Sequence, residues 1–208
     1  MSHTSIENQE CGIRHRFRVI HRDRVPGRYP RQTARLLHWC RVFDEEGMAP
    51  VVGGASAGNL SFRTPPGFVI TPSRSRLRAT MSWDRLPEVV RCDLDAFEIH
   101  VLGPGVPSSD SFLHERIYAR RTDVGAVFHG HDDNVLAHAR TLAREFPIVL
   151  TGGERTFGTI EDAVETAREL GGADYIIRLG HGFVAVGRDQ DQAGELALMI
   201  HRRAMELS

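Results

Sequence analysis

Apolar residues recur along this chain with two different periods. Thr33 to Glu46 places Leu36, Leu37, Cys40 and Phe43 at helical spacing, with Gly47 positioned to end the helix. Gln190 to Leu207 keeps Ala193, Leu196, Ala197, Ile200 and Ala204 on one side and predicts a second long helix. Asp110 to Arg121, Asp132 to Arg144, and a stretch from Thr159 or Glu161 to Leu170 read as further helices. Apolar runs of strand length lie between them, at Gly67–Ile70, Val124–His129, Phe146–Leu150 and Tyr175–Leu179. Val184 and Val186 read as a continuation of the last of these. VVRCDLD and AFEIHVL predict a hairpin or meander. VVGGASAGNLSFR reads as a glycine-dense loop, and TPSRSRLR as a second loop rich in hydroxyls and arginine. Residues 13 to 20 carry Arg14, Arg16 and Arg18 at alternate positions, a period that suits a half-exposed strand. Helices and strands intermix without a strict βαβ rhythm. The expectation is a mixed α/β fold with helices packed around a largely antiparallel sheet.

Length and composition narrow the chemistry. The 208 residues suffice for one domain with its own core. All 26 basic residues are arginine, and there is no lysine. A Schiff-base aldolase, a pyridoxal-phosphate enzyme and a Walker-type phosphate loop each need a lysine amine, so these classes are excluded. A formal net charge of -1 gives no global field toward nucleic acid or anionic lipid. Charge is nonetheless uneven: residues 1–31 carry seven arginines against Glu7, Glu10 and Asp23. This stretch is expected to be a basic, partly loose N-terminal extension, with residues 32–208 forming the domain. The arginine stripe suits either an anion or RNA surface, or a solvated edge strand or subunit contact; a single short stripe favours the latter. Cys11, Cys40 and Cys92 are widely spaced and form neither a disulfide framework nor a thiolate zinc site. Without a membrane-length apolar run or a signal-peptide pattern, a reducing, cytoplasmic setting is expected.

Eleven histidines direct attention to imidazole chemistry. In VGAVFHGHDD, His129 and His131 lie two apart, so in an extended chain both rings reach one side. His181 stands between two glycines at the end of an apolar strand, in IIRLGHGFVAVG. Three histidines from two strand ends can form the open tripod that catalytic zinc prefers, although other divalent first-row metals accept the same ligands. His100 and His114 are harder to dismiss than the remaining histidines but have no partner nearby in sequence. PSSD at 107–110 stands at a helix start, where Ser108, Ser109 or Asp110 could cap the helix or help bind an anion. The Gly- and Ser-rich turns at GGASAGNLSFR and VITPSRS could cradle the same anion through backbone N–H groups.

Taken in order, GNLSF (58–62), ITPS (70–73), PSSD (107–110), HGH (129–131), TFGT (156–159) and GHG (180–182) resemble the class II aldolase/adducin-head family. That family includes L-fuculose-phosphate aldolase and L-ribulose-5-phosphate 4-epimerase. The resemblance covers about Thr33 to Ser208. It implies a three-layer α/β/α sandwich and a zinc site of His129, His131 and His181, with the Asp110 carboxylate as acid/base and potential fourth ligand. It implies phosphate contacts from Gly58, Asn59, Ser73, Ser108 and Ser109, with Arg74 reinforcing or redirecting them. It also implies a homotetramer with active sites between subunits. Catalysis would then be retro-aldol cleavage of a ketose phosphate through a metal-stabilised enediolate, with Glu154 moving the proton at the aldehyde end.

Some residues depart from the family pattern. The aldolases carry Glu where this chain has Asp110, whereas the epimerase carries Asp. At Glu154, fuculose-phosphate aldolase has a Tyr from the adjacent subunit and the epimerase has an Asp. The epimerase also uses a Tyr near its C-terminus, and this chain has none after Tyr175. Arg74 stands where the family usually has Gly. Epimerisation, decarboxylation and dehydration can proceed from the same intermediate and remain alternatives. A non-catalytic adducin-like assembly module is the alternative of another class, and three retained histidines argue against it.

Overall fold

The computed structural model describes residues 3–7, 16–22, 29–77, 81–151 and 156–208. Its centre is a sheet of ten strands. The strands are β1 (His3–Glu7), β2 (Arg16–Arg22), β5 (Gly58–Thr64), β6 (Gly67–Ile70), β7 (Glu88–Asp93), β8 (Glu98–Leu102), β9 (Ala126–Gly130), β10 (Ile148–Thr151), β11 (Tyr175–Arg178) and β12 (Gly182–Gly187). A separate small hairpin joins β3 (Val51–Val52) to β4 (Ala55–Ser56). The order across the large sheet is β1-β2-β8-β7-β6-β5-β9-β12-β11-β10. The β2·β8 and β10·β11 pairs are parallel and all others antiparallel, as the lack of a βαβ rhythm predicts.

Each face of the sheet carries its own apolar cluster. On one, Leu36, Trp39 and Phe43 of α1 (Pro30–Glu45) and Ala193, Ala197 and Ile200 of α6 (Gln190–Glu206) pack on Leu60, Phe128 and Phe183. On the other, Phe112, Leu113 and Ile117 of α2 (Ser111–Arg120) and Ala163 and Ala167 of α5 (Ile160–Leu170) pack on Val127, Ile176 and Val184. Neighbouring residues of β9 and β12 thus enter opposite clusters, the alternation expected of strands covered on both sides. The result is the three-layer α/β/α sandwich.

Several local expectations are corrected. GNLSFR is not loop but strand β5, near the middle of the sheet, with Asn59 and Ser61 buried. Val184 and Val186 do not continue β11; the chain reverses at Leu179–His181, and they lie on the antiparallel β12. The helix expected over 132–144 is two, α3 (Asp133–Ala137) and α4 (Ala139–Glu145), broken at His138. Strand β2 is not an edge strand, since β1 and β8 flank it; Phe17 and Val19 are buried, and Arg18 pairs with Glu98 at 2.8 Å. Arg14 lies outside the described residues. No helix among the described residues is long and apolar enough to cross a membrane.

Candidate metal centre and acid/base site

The site lies where β5, β9 and β12 end together. His129 sits on β9, paired in register with Asn59 of β5 and Val184 of β12. His131 follows one residue beyond the strand, and His181 lies in the β11–β12 turn that His181 N–H closes onto the Arg178 carbonyl at 2.9 Å. Gly130 is required between the two histidines. A side chain there would meet the Met48 carbonyl at 2.4 Å and the Phe183 ring at 2.8 Å. Gly182 is similarly confined, with the Gly130 carbonyl 2.3 Å from where its Cβ would lie.

The three imidazoles converge. One potential ligand atom from each lies within 4.8 Å of the others, and His129 Nε2 and His131 Nε2 are 3.1 Å apart. Two nitrogens bound to one tetrahedral zinc, each at about 2.0–2.1 Å, lie about 3.3 Å from one another. His129 Nδ1–H donates to the Phe183 carbonyl at 2.6 Å, which leaves Nε2 unprotonated and aimed into the cluster. Burial pushes all three rings toward the neutral, ligating form: His129 well below its ordinary value, His131 lower, and His181 down to about 3. The His181 ring is held from both sides, stacked on Phe157 at 4.4 Å and on His129 at 5.1 Å between centroids. The donor set, its protonation and its spacing therefore fit a divalent cation.

Asp110 stands beside this cluster. Its Oδ2 is 3.7 Å from His129 Nε2 and accepts from Asn59 Nδ2 at 2.8 Å. Asp110 occupies the N-cap position of α2, yet its side chain makes no capping hydrogen bond. An Asp cap stabilises a helix by about 1 kcal/mol, which this residue forgoes by turning toward the histidines. Burial alone would raise its pKa. His129, Arg178, His181 and the Asn59 amide outweigh burial and hold the carboxyl well below its usual range. Arg178 and Asn59 act whatever the protonation of the imidazoles. Arg178, buried at the end of β11, is ion-paired to Asp162 in the first turn of α5 and lies over the Phe157 ring.

Two of the segments expected to bind an anion are joined by backbone hydrogen bonds. An isolated bridge joins Pro72 to Pro107, Ser73 N–H donates to the Val106 carbonyl at 2.8 Å, and Ser108 N–H to the Thr71 carbonyl at 3.3 Å. These bonds tie the 71–73 and 106–108 segments together, with Ser73 opposite Val106 and Ser108 opposite Thr71. Arg74 is exposed and has a left-handed backbone, φ 52°, the conformation in which glycine is unstrained. Gly58 begins β5 opposite Gly130, and Asn59 is buried with both ends of its amide engaged, on Asp110 and on His114. Glu154 lies outside the described residues.

Sequence reasoning assigned no role to Arg178 or Tyr118, quoted Ser61 and Phe157 only within motifs, and left His114 without a partner. The signal for Arg178 was an ionisable residue ending an apolar strand two residues before GHG. For the α2 residues it was the four-residue spacing of Asp110, His114 and Tyr118, which places them along one side of a helix.

Residues 34–207 match the family described as Class II Aldolase and Adducin N-terminal domain. The chain belongs to this family. Among class II aldolase relatives, it is 33% identical over 164 residues to a 5-methylthioribulose-1-phosphate/5-deoxyribulose-1-phosphate aldolase of Rhodospirillum rubrum, covering 72% of this chain and 69% of that one. It is 30% identical over 177 residues to a methylthioribulose-1-phosphate dehydratase of Acidiphilium cryptum, covering 72% and 76%. The fold is similar to that of a sugar-phosphate aldolase from Thermotoga maritima (TM-score 0.72, 19% identity, 86% of this chain and 94% of that one). This class II aldolase family chain is an enzyme of that superfamily, since the relatives carry aldolase and dehydratase names and the histidine cluster is intact.

Proposed function

We propose that the chain is a zinc-dependent carbon–carbon lyase that cleaves a ketose 1-phosphate by retro-aldol chemistry. The observation that carries this reading is the convergence of His129, His131 and His181 beside an ionised Asp110 whose Oδ2 lies 3.7 Å from a ligating nitrogen. A divalent cation held by the three imidazoles supplies Lewis-acid polarisation of the substrate carbonyl and offsets the negative charge that develops when the neighbouring bond breaks. The chain's own residues do the rest. Ser73, Arg74, Ser108 and Ser109, with the backbone at Gly58 and Asn59, bind the phosphate and fix the reacting end by contacts remote from it. Asp110, in its protonated form, delivers a proton to the carbon next to the carbonyl once the neighbouring bond has broken, and is restored by the proton that Glu154 removes, relayed through solvent. Glu154 takes the proton from the hydroxyl that becomes the aldehyde. A homotetramer in the cytoplasm, with the site shared between neighbouring subunits, is part of this proposal.

Dehydration of the same class of substrate is a second reading, favoured by the three similar methylthioribulose-1-phosphate dehydratases. Asp110 serves both outcomes at the carbon next to the carbonyl: in cleavage it delivers a proton there after the carbon–carbon bond breaks, and in dehydration it removes the proton there as water leaves. The test is to incubate the zinc-loaded protein with 5-methylthioribulose 1-phosphate, 5-deoxyribulose 1-phosphate and L-fuculose 1-phosphate and follow products by NMR. Dihydroxyacetone phosphate and an aldehyde are the expected products. A diketone phosphate would establish the dehydratase instead, and no turnover of any of the three would refute both.

A further inference from the structure

Asp110 does not stand alone against Asn59. Asn59 Oδ1 is 2.6 Å from His114 Nε2, His114 Nδ1 is 2.7 Å from Ser61 Oγ, and Ser61 Oγ is 2.8 Å from the Tyr118 hydroxyl. Two periodicities build this line. Asp110, His114 and Tyr118 recur every four residues along α2. Asn59 and Ser61 are two apart on β5, opposite His129 and Val127 of β9, so they share the sheet face that α2 covers. His114 and Ser61 are fully buried, and Asn59 and Tyr118 nearly so.

The chemistry of each atom fixes the direction of each bond. The Asn59 carbonyl can only accept, so His114 Nε2 carries the proton. Burial pushes the His114 ring down to about 4 against the raising pull of Asp110, so at neutral pH Nδ1 is bare and accepts from the Ser61 hydroxyl. Ser61 has then used its proton and accepts from Tyr118, whose phenol burial keeps protonated. Every donor in the line points toward the carboxylate. Turning the Asn59 amide over would set its carbonyl against Asp110 and its NH2 against the His114 N–H.

We propose that His114, Ser61 and Tyr118 act through Asn59 as positioning residues that hold the Asp110 carboxylate turned toward the histidine cluster. Their effect on turnover rests on the acid/base role proposed above for Asp110; their effect on the His114 tautomer does not. A buried polar line of this kind could serve stability alone, so the test needs readouts that stability does not move.

The zinc-loaded, 15N-histidine-labelled chain is examined by NMR at neutral pH, with the His114 signal assigned by its loss in His114→Gln. The expected result is a proton on Nε2 only, with mixed tautomers in Ser61→Ala and a smaller shift of the Nδ1 signal in Tyr118→Phe. Condensation of dihydroxyacetone phosphate with acetaldehyde gives the second readout. Ser61→Ala should lower kcat by about 10- to 100-fold, with KM for dihydroxyacetone phosphate within about twofold and zinc content unchanged. Tyr118→Phe should lower kcat by less, and the double variant should match Ser61→Ala alone, as expected for members of one chain. A wild-type ring protonated on Nδ1, a tautomer indifferent to Ser61→Ala, a KM effect with kcat preserved, or losses that multiply in the double variant would each overturn the proposal. If the wild type does not turn over these reactants, the proposed reaction has failed and the tautomer alone decides. If Ser61→Ala does not fold, Tyr118→Phe, which removes only the terminal hydroxyl, carries both readouts.

Discussion

Arg74 combines a backbone conformation that favours glycine with a charged side chain in the segment proposed to bind an anion. A non-glycine residue at φ 52° bears about 1 kcal/mol of strain. That strain is tolerated where the side chain contributes something glycine cannot. Arg74→Gly should therefore leave the thermal midpoint unchanged or raised, while KM for a ketose phosphate rises about tenfold and kcat stays within about threefold, the pattern of a charge-assisted contact to a remote group. Paired thermal melts and steady-state kinetics check this. A lowered midpoint with KM unchanged would assign Arg74 to structure instead. Asp110 presents the same logic without strain, because an N-cap position normally rewards an aspartate that caps, and this one does not.

At the scale of elements, the site depends on β9 and β12 approaching more closely than side chains allow. Gly130 separates the two ligating histidines, and any Cβ there meets the Met48 carbonyl and the Phe183 ring. Gly130→Ala is expected to destabilise the fold by about 2–4 kcal/mol and to displace His131, with zinc retention falling in step. Urea unfolding and metal analysis of the variant test this; an unchanged midpoint with a full complement of zinc would contradict it. The same closeness explains what could be read in the sequence. Long helices such as α1 and α6 follow hydrophobic periodicity, and HGH and GHG stand out because glycine flanks a ligand where the backbone must turn or approach. Strand β5 did not stand out, because Asn59 and Ser61 are polar residues buried on a strand face, where hydropathy predicts apolar ones. Their polarity belongs to the site, so the pattern that defines strands failed at a position where function overrides it. His114 was indistinct for a related reason: its partners come from β5, some 50 positions away in sequence, and only the sheet register brings them together. The α3–α4 break at His138 and the reversal into β12 were likewise set by tertiary packing rather than local signals.

At the scale of the molecule, two apolar layers clamp a sheet whose strand ends bring together His129, His131, His181, Asn59 and Asp110 from four separate segments of chain. If Glu154 serves the site of a neighbouring subunit, inactive Glu154→Gln chains mixed with inactive His129→Ala chains should regain about a quarter of wild-type activity in hybrid oligomers, the fraction expected when the two complementary defects are distributed at random. No recovery after verified subunit exchange would place each site within one chain. The account as a whole stands on one cation held by three imidazoles. Anomalous diffraction at the zinc edge, from crystals of the zinc-loaded protein, tests that most directly. One peak is predicted, about 2.0–2.1 Å from a ring nitrogen of each of His129, His131 and His181. A peak elsewhere, or none at these rings in protein with full zinc occupancy, would contradict it.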